Sequence, residues 1–224
     1  MNSEIEVVKH RLFGNDFVGG FAVATDSFVI TTSRISDRDA ESIRAALKVE
    51  IKKVQFLDSE LIGLFSKANS NGVLLSNTIE EEDAKKASKE LGINMEVLKS
   101  SINALGTNML ANDKIAIINP DYKQNEVKQI EDVLGVEAIK MKIGGFKTVG
   151  AMNILTNRGM LLNNKATDEE EDRINSMLGF KVSRGTADTG LLSVGLLAIA
   201  NSNGILIGEG TTNYELAHII EALE

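Results

Sequence analysis

The chain has no cysteine, no tryptophan, one proline and two histidines, and only 4% of it is aromatic. Without cysteine there is no disulfide, no thiolate nucleophile and no sulfur-ligated metal. The two imidazoles, His10 and His218, stand at opposite ends of the chain and read as structural. A histidine-based catalytic or metal cluster therefore lacks material, and we expect no catalytic residue, no metal and no cofactor. With aromatics scarce, the core must be aliphatic. No apolar run approaches the roughly 18 residues of a membrane span. The longest candidate, residues 191–200, is short and contains Gly195. Residues 1–9 lack the basic start and apolar run of a signal peptide. The expectation is a soluble, cytoplasmic protein. A net charge of −8 with no basic cluster predicts little direct contact with nucleic acid.

What the chain does have is repetition. Gly19, Gly63, Gly106, Gly150 and Gly195 stand 44, 43, 44 and 45 residues apart. A leucine follows each glycine by 28 positions: Leu47, Leu91, Leu134, Leu178 and Leu223. A second glycine follows three of them by nine positions: Gly72, Gly159 and Gly204. Six or seven positions on come Asp26, Asn69, Asn112, Asn157 and Asn201. One supersecondary unit is used five times, and it fills residues 1–224 as a single pseudo-fivefold domain.

The fifth copy shows the unit most clearly. Residues 196–200 form a short apolar run, Asn201-Ser-Asn-Gly204 is a hairpin signal, and residues 205–207 read as the return strand. The second and fourth copies repeat this at residues 64–75 and 151–162. The apolar residues are continuous rather than alternating, which predicts strands buried on both faces. A helix follows each hairpin. Thr167-x-x-Glu170 and Thr212-x-x-Glu215 are capping boxes, Ser36 with Asp39 is a variant, and Asn119-Pro120 reads as an N-cap with a proline at the first helical position. Positions 21, 24 and 28 after each glycine form one apolar helix face, broken only by Glu171. Leu91, Leu134 and Leu178 are expected beneath it. A further strand follows at residues 49–56, 93–98, 136–143 and 180–183.

The fifth copy reaches Glu224 without that last strand, while residues 5–13 form a strand with no unit of its own. The economical solution is an N-terminal strand that completes the fifth unit and closes a ring, which also removes an exposed sheet edge. Propeller blades of four strands and paired-helix repeats share the period, but the first has no helix and the second no strands. The fold class is α/β (α+β): a closed ring of five strand–strand–helix–strand repeats.

Several segments, in this order and on this frame, resemble the archaeal translation initiation factor 6 family. They are Ala104-Leu-Gly-Thr107 with Ala111-Asn-Asp113, Thr148-Val-Gly150 with Leu155-Thr-Asn157, Gly185-Thr-Ala-Asp-Thr-Gly190 with Ser193-Val-Gly195, and Thr211-Thr212 with Glu215-Leu216. The chain departs from the family pattern at Thr107, often Asn; at Asp188, where the family has Asn; and at Gly210, where Asp is usual. The resemblance implies a pentein-type five-bladed α/β propeller. It also implies a monomeric anti-association factor that binds the intersubunit face of the large ribosomal subunit and takes part in its maturation. The implied partner is a ribosomal protein near the sarcin–ricin loop, and the implied release agents are an SBDS-type protein and an elongation-factor-like GTPase. Carried over to this chain, the protein-binding patch implicates Leu64, Thr107, Met152 and Leu191.

Each of these four has an alternative reading as an ordinary pore-lining or core residue. The asparagines read first as turn residues, which tolerate left-handed φ and bond their own backbone. The anchor glycines read as points of close backbone approach. Other pentein branches act on guanidinium groups with a nucleophilic cysteine, which is absent here. The competing function is therefore a pentein-fold enzyme or small-molecule binder with non-cysteine chemistry on guanidino compounds.

Overall fold

In the computed structural model, which describes residues 5–224, the chain passes through five like units; residues 1–4 of the expected ring lie outside the described residues. First comes β1 (Glu6–Lys9). Unit one is a 3-10 turn (Val18–Gly20), β2 (Ala22–Ala24), β3 (Phe28–Thr32), α1 (Asp37–Leu47) and β4 (Glu50–Val54). Unit two is α2 (Ile62–Phe65), β5 (Ser66–Ala68), β6 (Val73–Ser76), α3 (Glu81–Leu91) and β7 (Met95–Leu98). Unit three is α4 (Leu105–Asn108), β8 (Met109–Ala111), β9 (Ile115–Ile118), α5 (Gln124–Leu134) and β10 (Glu137–Lys140). Unit four is α6 (Val149–Met152), β11 (Ile154–Leu155), β12 (Met160–Asn163), α7 (Asp168–Leu178) and β13 (Val182–Gly185). Unit five is α8 (Val194–Leu197), β14 (Ala198–Asn201), β15 (Gly204–Ile207) and α9 (Asn213–Leu223).

Each unit forms a three-stranded sheet. The inner strand is antiparallel to the middle one, and the outer strand returns parallel after its helix. The fifth sheet takes its outer strand from the other end of the chain. β1 pairs parallel with β15 from Glu6↔Gly204 to Lys9↔Ile207.

The core lies in the seams between units rather than within them. Every residue of the five middle strands is buried, because successive side chains point to opposite faces and each face meets a neighbouring unit. On β6, Val73 and Leu75 pack with Phe28 and Ile30 of unit one, while Leu74 packs with Met109 and Ile118 of unit three. Each helix roofs a seam: Ile43 and Leu47 of α1 join Leu206 and Ile199 of unit five to Val29 of unit one.

Helix starts follow the sequence signals, with one shift. Ser36, Thr167 and Thr212 accept N–H bonds from Asp39, Glu170 and Glu215. The third long helix instead begins after Lys123, whose N–H donates to Glu126 at 2.5 Å. Asn119-Pro120 is not its N-cap: the Asn119 side chain turns the chain by accepting from Asp121 N at 2.9 Å. The residues 20 positions after the anchor glycines, Asp39, Asp83, Glu126, Glu170 and Glu215, are all acidic and all occupy the third helical position. Three of them also grip the loop of the preceding unit. Asp39 bonds His10 Nε2 at 2.7 Å, Glu170 accepts from Gly144 N at 2.9 Å, and Glu215 accepts from Gly190 N at 2.8 Å.

Two expectations need correction. The apolar runs at residues 64–68, 151–155 and 196–200 do not begin as strands; each first makes part of a one-turn helix. A four-residue turn has too few side chains to show a period, so an apolar run hides it. Of the leucines beneath the helices, Leu134 is fully buried, but Leu91 and Leu178 are half-buried at the seam edges. Glu171, the polar break in that face, is half-buried and pairs with Arg184 Nε at 2.7 Å.

Candidate binding surface

The four one-turn helices and the 3-10 turn pack in a closed cycle around the axis. Its contact points are the anchor glycines. A Cβ on Gly63 would land on the carbonyl of Gly19, one on Gly106 on Gly63, one on Gly150 on Gly106, one on Gly195 on Gly150, and one on Gly19 on Gly195. The expected close backbone approach is thus present at all five. The ring has two ends: hairpin tips gather at one, and the loops that follow the outer strands gather at the other.

At the hairpin end the polar side chains satisfy one another. Asn69 donates to Asn112 O at 3.0 Å and Leu134 O at 2.7 Å, Asn112 to Thr156 O at 2.9 Å, and Asn201 to Thr25 O and Leu47 O at 3.0 Å. Each asparagine Oδ1 accepts from the N–H groups of its own turn, as at Asn71 and Gly72. These residues tie turns, units and helix C-termini together, as the turn reading holds. The true column is Thr25, Asn69, Asn112, Thr156 and Asn201, so Asp26 and Asn157 belong one position later. There they form a rim: Asn157 Nδ2 donates to Asp26 at 2.8 Å and Asp113 at 2.7 Å.

The loop end is different. It carries the helix N-termini, and its loops expose Phe13, Phe17, Leu57 and Leu191, each about 40% accessible. Tyr214, in the first turn of α9, is 76% exposed beside them. Phe13 and Leu57 hold φ of 51° and 59°, and Asp188 and Thr189 hold 48° and 62°. The left-handed region costs a large side chain about 1–2 kcal/mol, and Gly or Asn would fit it better. Phe13 recovers part of this by packing on Phe21, with ring centroids 5.1 Å apart.

Glu215 anchors the loop of residues 186–190 to this face. It accepts from Thr186 Oγ1, Thr189 N, Gly190 N and Thr212 N. Burial pushes its carboxyl up, but the N–H donors of Thr212 and Gly190 outweigh burial and hold it below the ordinary glutamate range.

The four implicated residues land unevenly. Leu191 is exposed on a loop. Thr107 is half-buried, its Oγ1 donating to Ala104 O at 2.8 Å. Leu64 is half-buried on α2. Met152 is buried, which matches the core reading weighed for it. The loop residues Phe13, Phe17 and Leu57 escaped the sequence reading, although apolar residues beside the turn signals Phe13-Gly14 and Leu57-Asp58-Ser59 were visible in it. Among the described residues, no group of three or more His, Asp or Glu side chains is placed to hold a metal, and no helix is long and apolar enough to cross a membrane.

The eIF-6 family pattern matches residues 7–222. Translation initiation factor 6 of Picrophilus torridus is 36% identical over 97% of this chain and 99% of its own length. That of Pyrococcus horikoshii is 37% identical over 92% and 93%, and that of Thermoplasma acidophilum 34% over 96% and 98%.

The chain belongs to the eIF-6 family. The resemblance read from the sequence is therefore correct, and the five-sheet α/β ring is the pentein-type fold expected of that family. The relatives are archaeal and are named as translation initiation factors.

Proposed function

We propose that this protein binds the intersubunit side of the large ribosomal subunit through its loop end and, by occupying that side, keeps the small subunit from joining. It acts as a cytoplasmic, monomeric, non-enzymatic factor in initiation and large-subunit maturation. The observation that carries this reading is that, among the described residues, the large apolar side chains left exposed lie at one end, two of them at left-handed φ. Side chains kept exposed at a conformational cost point to a surface with a use. The opposite end, with its polar groups mutually bonded, has little left to offer a partner.

The partner is chiefly a ribosomal protein, near the sarcin–ricin loop as the family resemblance implies. The first turns of α3 and α7, which open at the loop end, are acidic, and such charge complements a basic protein and repels phosphate. Of the residues first implicated, Leu191 and Thr107 remain candidates for direct contact, while Leu64 is half-buried and Met152 is buried. Release by an SBDS-type protein and an elongation-factor-like GTPase completes the proposed cycle.

Sedimentation with purified archaeal large subunits tests the proposal. Wild-type protein should travel with large subunits and block their joining to small subunits. Leu191→Asp should do neither while melting normally, because an apolar interface cannot hydrate an unpaired charge. Undiminished blocking by Leu191→Asp together with Leu57→Asp would move the interface elsewhere.

A further inference from the structure

The axis of the ring holds a cavity of about 70 Å³, lined by all five anchor glycines and by inner-strand residues including Ala22, Ala198 and Leu110. One charged side chain lines it, that of Lys67. Its place in the repeat is unusual. The residues four positions after the other anchor glycines are Val23, Leu110, Ile154 and Ile199, all buried in the seams. In unit two that apolar position is a lysine. The residue is half-buried and lines the cavity.

Lys67 makes no hydrogen bond or ion pair within the described residues. The nearest carboxylates along the axis, Asp26 and Asp113, line the hairpin mouth beyond the layer of Ala24, Ala68 and Ala111. Both are already held, Asp26 by Ser202 and Asn157 and Asp113 by Ser70 and Asn157. The anchor glycines that line the cavity carry further N–H groups. The N–H groups of Gly19, Gly63, Gly106, Gly150 and Gly195 find no acceptor among the described residues, because each sits in a first turn too short to supply one. A cation drawn away from bulk water with no counter-charge is costly, and desolvation alone pushes the Lys67 ammonium down to about 8. An anion in the cavity removes that cost and uses the idle donors.

We propose that the axial cavity is a binding site for one small inorganic anion of chloride size, held by the Lys67 ammonium together with anchor-glycine N–H groups. The anion enters from the hairpin mouth, whose lining shares Ala24, Ala111, Leu155 and Ala200 with the cavity. It lies directly behind the cycle of one-turn helices and ties the five units together electrostatically.

Crystals soaked in bromide test the site directly on the wild-type protein. The expected result is an anomalous peak in contact with Lys67 Nζ on the ring axis. In solution, replacing gluconate by chloride at constant ionic strength should raise the melting temperature saturably, by about 3 °C. Lys67→Met, which restores the apolar character of the other four units, should lose the saturable rise, and Lys67→Arg should keep it. An empty axis in bromide-soaked wild-type crystals, or an equal chloride response in Lys67→Met, overturns the proposal. Should Lys67→Met fail to fold, the bromide map and Lys67→Gln decide between the same two outcomes.

Discussion

The carbonyl of Gly19 occupies the place where a Cβ on Gly63 would sit. The obstacle is backbone on both sides, so neither partner can swing away. Gly63→Ala should therefore cost about 3 kcal/mol or more, at the top of the overpacking range. The same holds for Gly106 and Gly150. Denaturant unfolding will show it, and a loss under about 1 kcal/mol would mean that the cycle is looser than it looks.

Gly210 makes an instructive contrast. A Cβ there meets Asp188 Oδ1, the free end of a side chain. Gly210→Ala should be far milder, about 1 kcal/mol or less, and Asp188→Ala in the same chain should abolish even that. A double-mutant cycle on melting curves checks the coupling. Asp188 and Gly210, the two positions that the resemblance marks as departures, thus lie against each other.

Glu215 predicts a pH dependence. Its folded carboxyl titrates below the ordinary value, so its contribution is complete above the unfolded glutamate pKa of about 4.3 and is lost as pH falls through the lower folded value. Glu215→Gln should cost about 1–3 kcal/mol at neutral pH. It should also flatten the acid limb of the stability curve. Chemical denaturation from neutral to acid pH measures both, and an unchanged acid limb would count against this role.

Burial separates the helix leucines. Leu134→Ala should cost about 2–5 kcal/mol, and Leu91→Ala and Leu178→Ala clearly less, because part of each side chain already meets water. Equal losses at all three would place the latter two deeper than the seam edges.

Subunit binding should respond weakly to salt. A binder making 6–10 phosphate contacts loses about 10³–10⁵ in affinity between 50 and 200 mM salt, whereas an apolar, protein-facing patch should lose about tenfold or less. Titration of labelled protein against large subunits at both salts gives the slope directly, and a steep slope would put ribosomal RNA in the interface.

The ring was legible in the sequence because its constraints recur at fixed offsets: glycines where backbones touch, leucines under helices, and a spare strand at one end matching a missing one at the other. The one-turn helices were hidden, since four apolar residues look alike as helix or strand. The acidic column through Asp39 and Glu215 was present in the same register but merged with the charged helix faces. Lys67 could have been found as the single break in an apolar column. The loop end was the least legible, because exposure at Leu57 or Leu191 depends on how loops from different units gather, which no local pattern encodes.

The pairing of β1 with β15 has a consequence for how the molecule is made. β1 is made well before it can find its place, since its partner β15 follows only after the other four units. Until then α1 lacks the sheet it roofs, and units one and five each keep an open flank. Closure joins residues far apart in the sequence, and such non-local pairing is the slow kind of contact to form. The same pairing means that a growing chain acquires this buried seam only after β15 has been made.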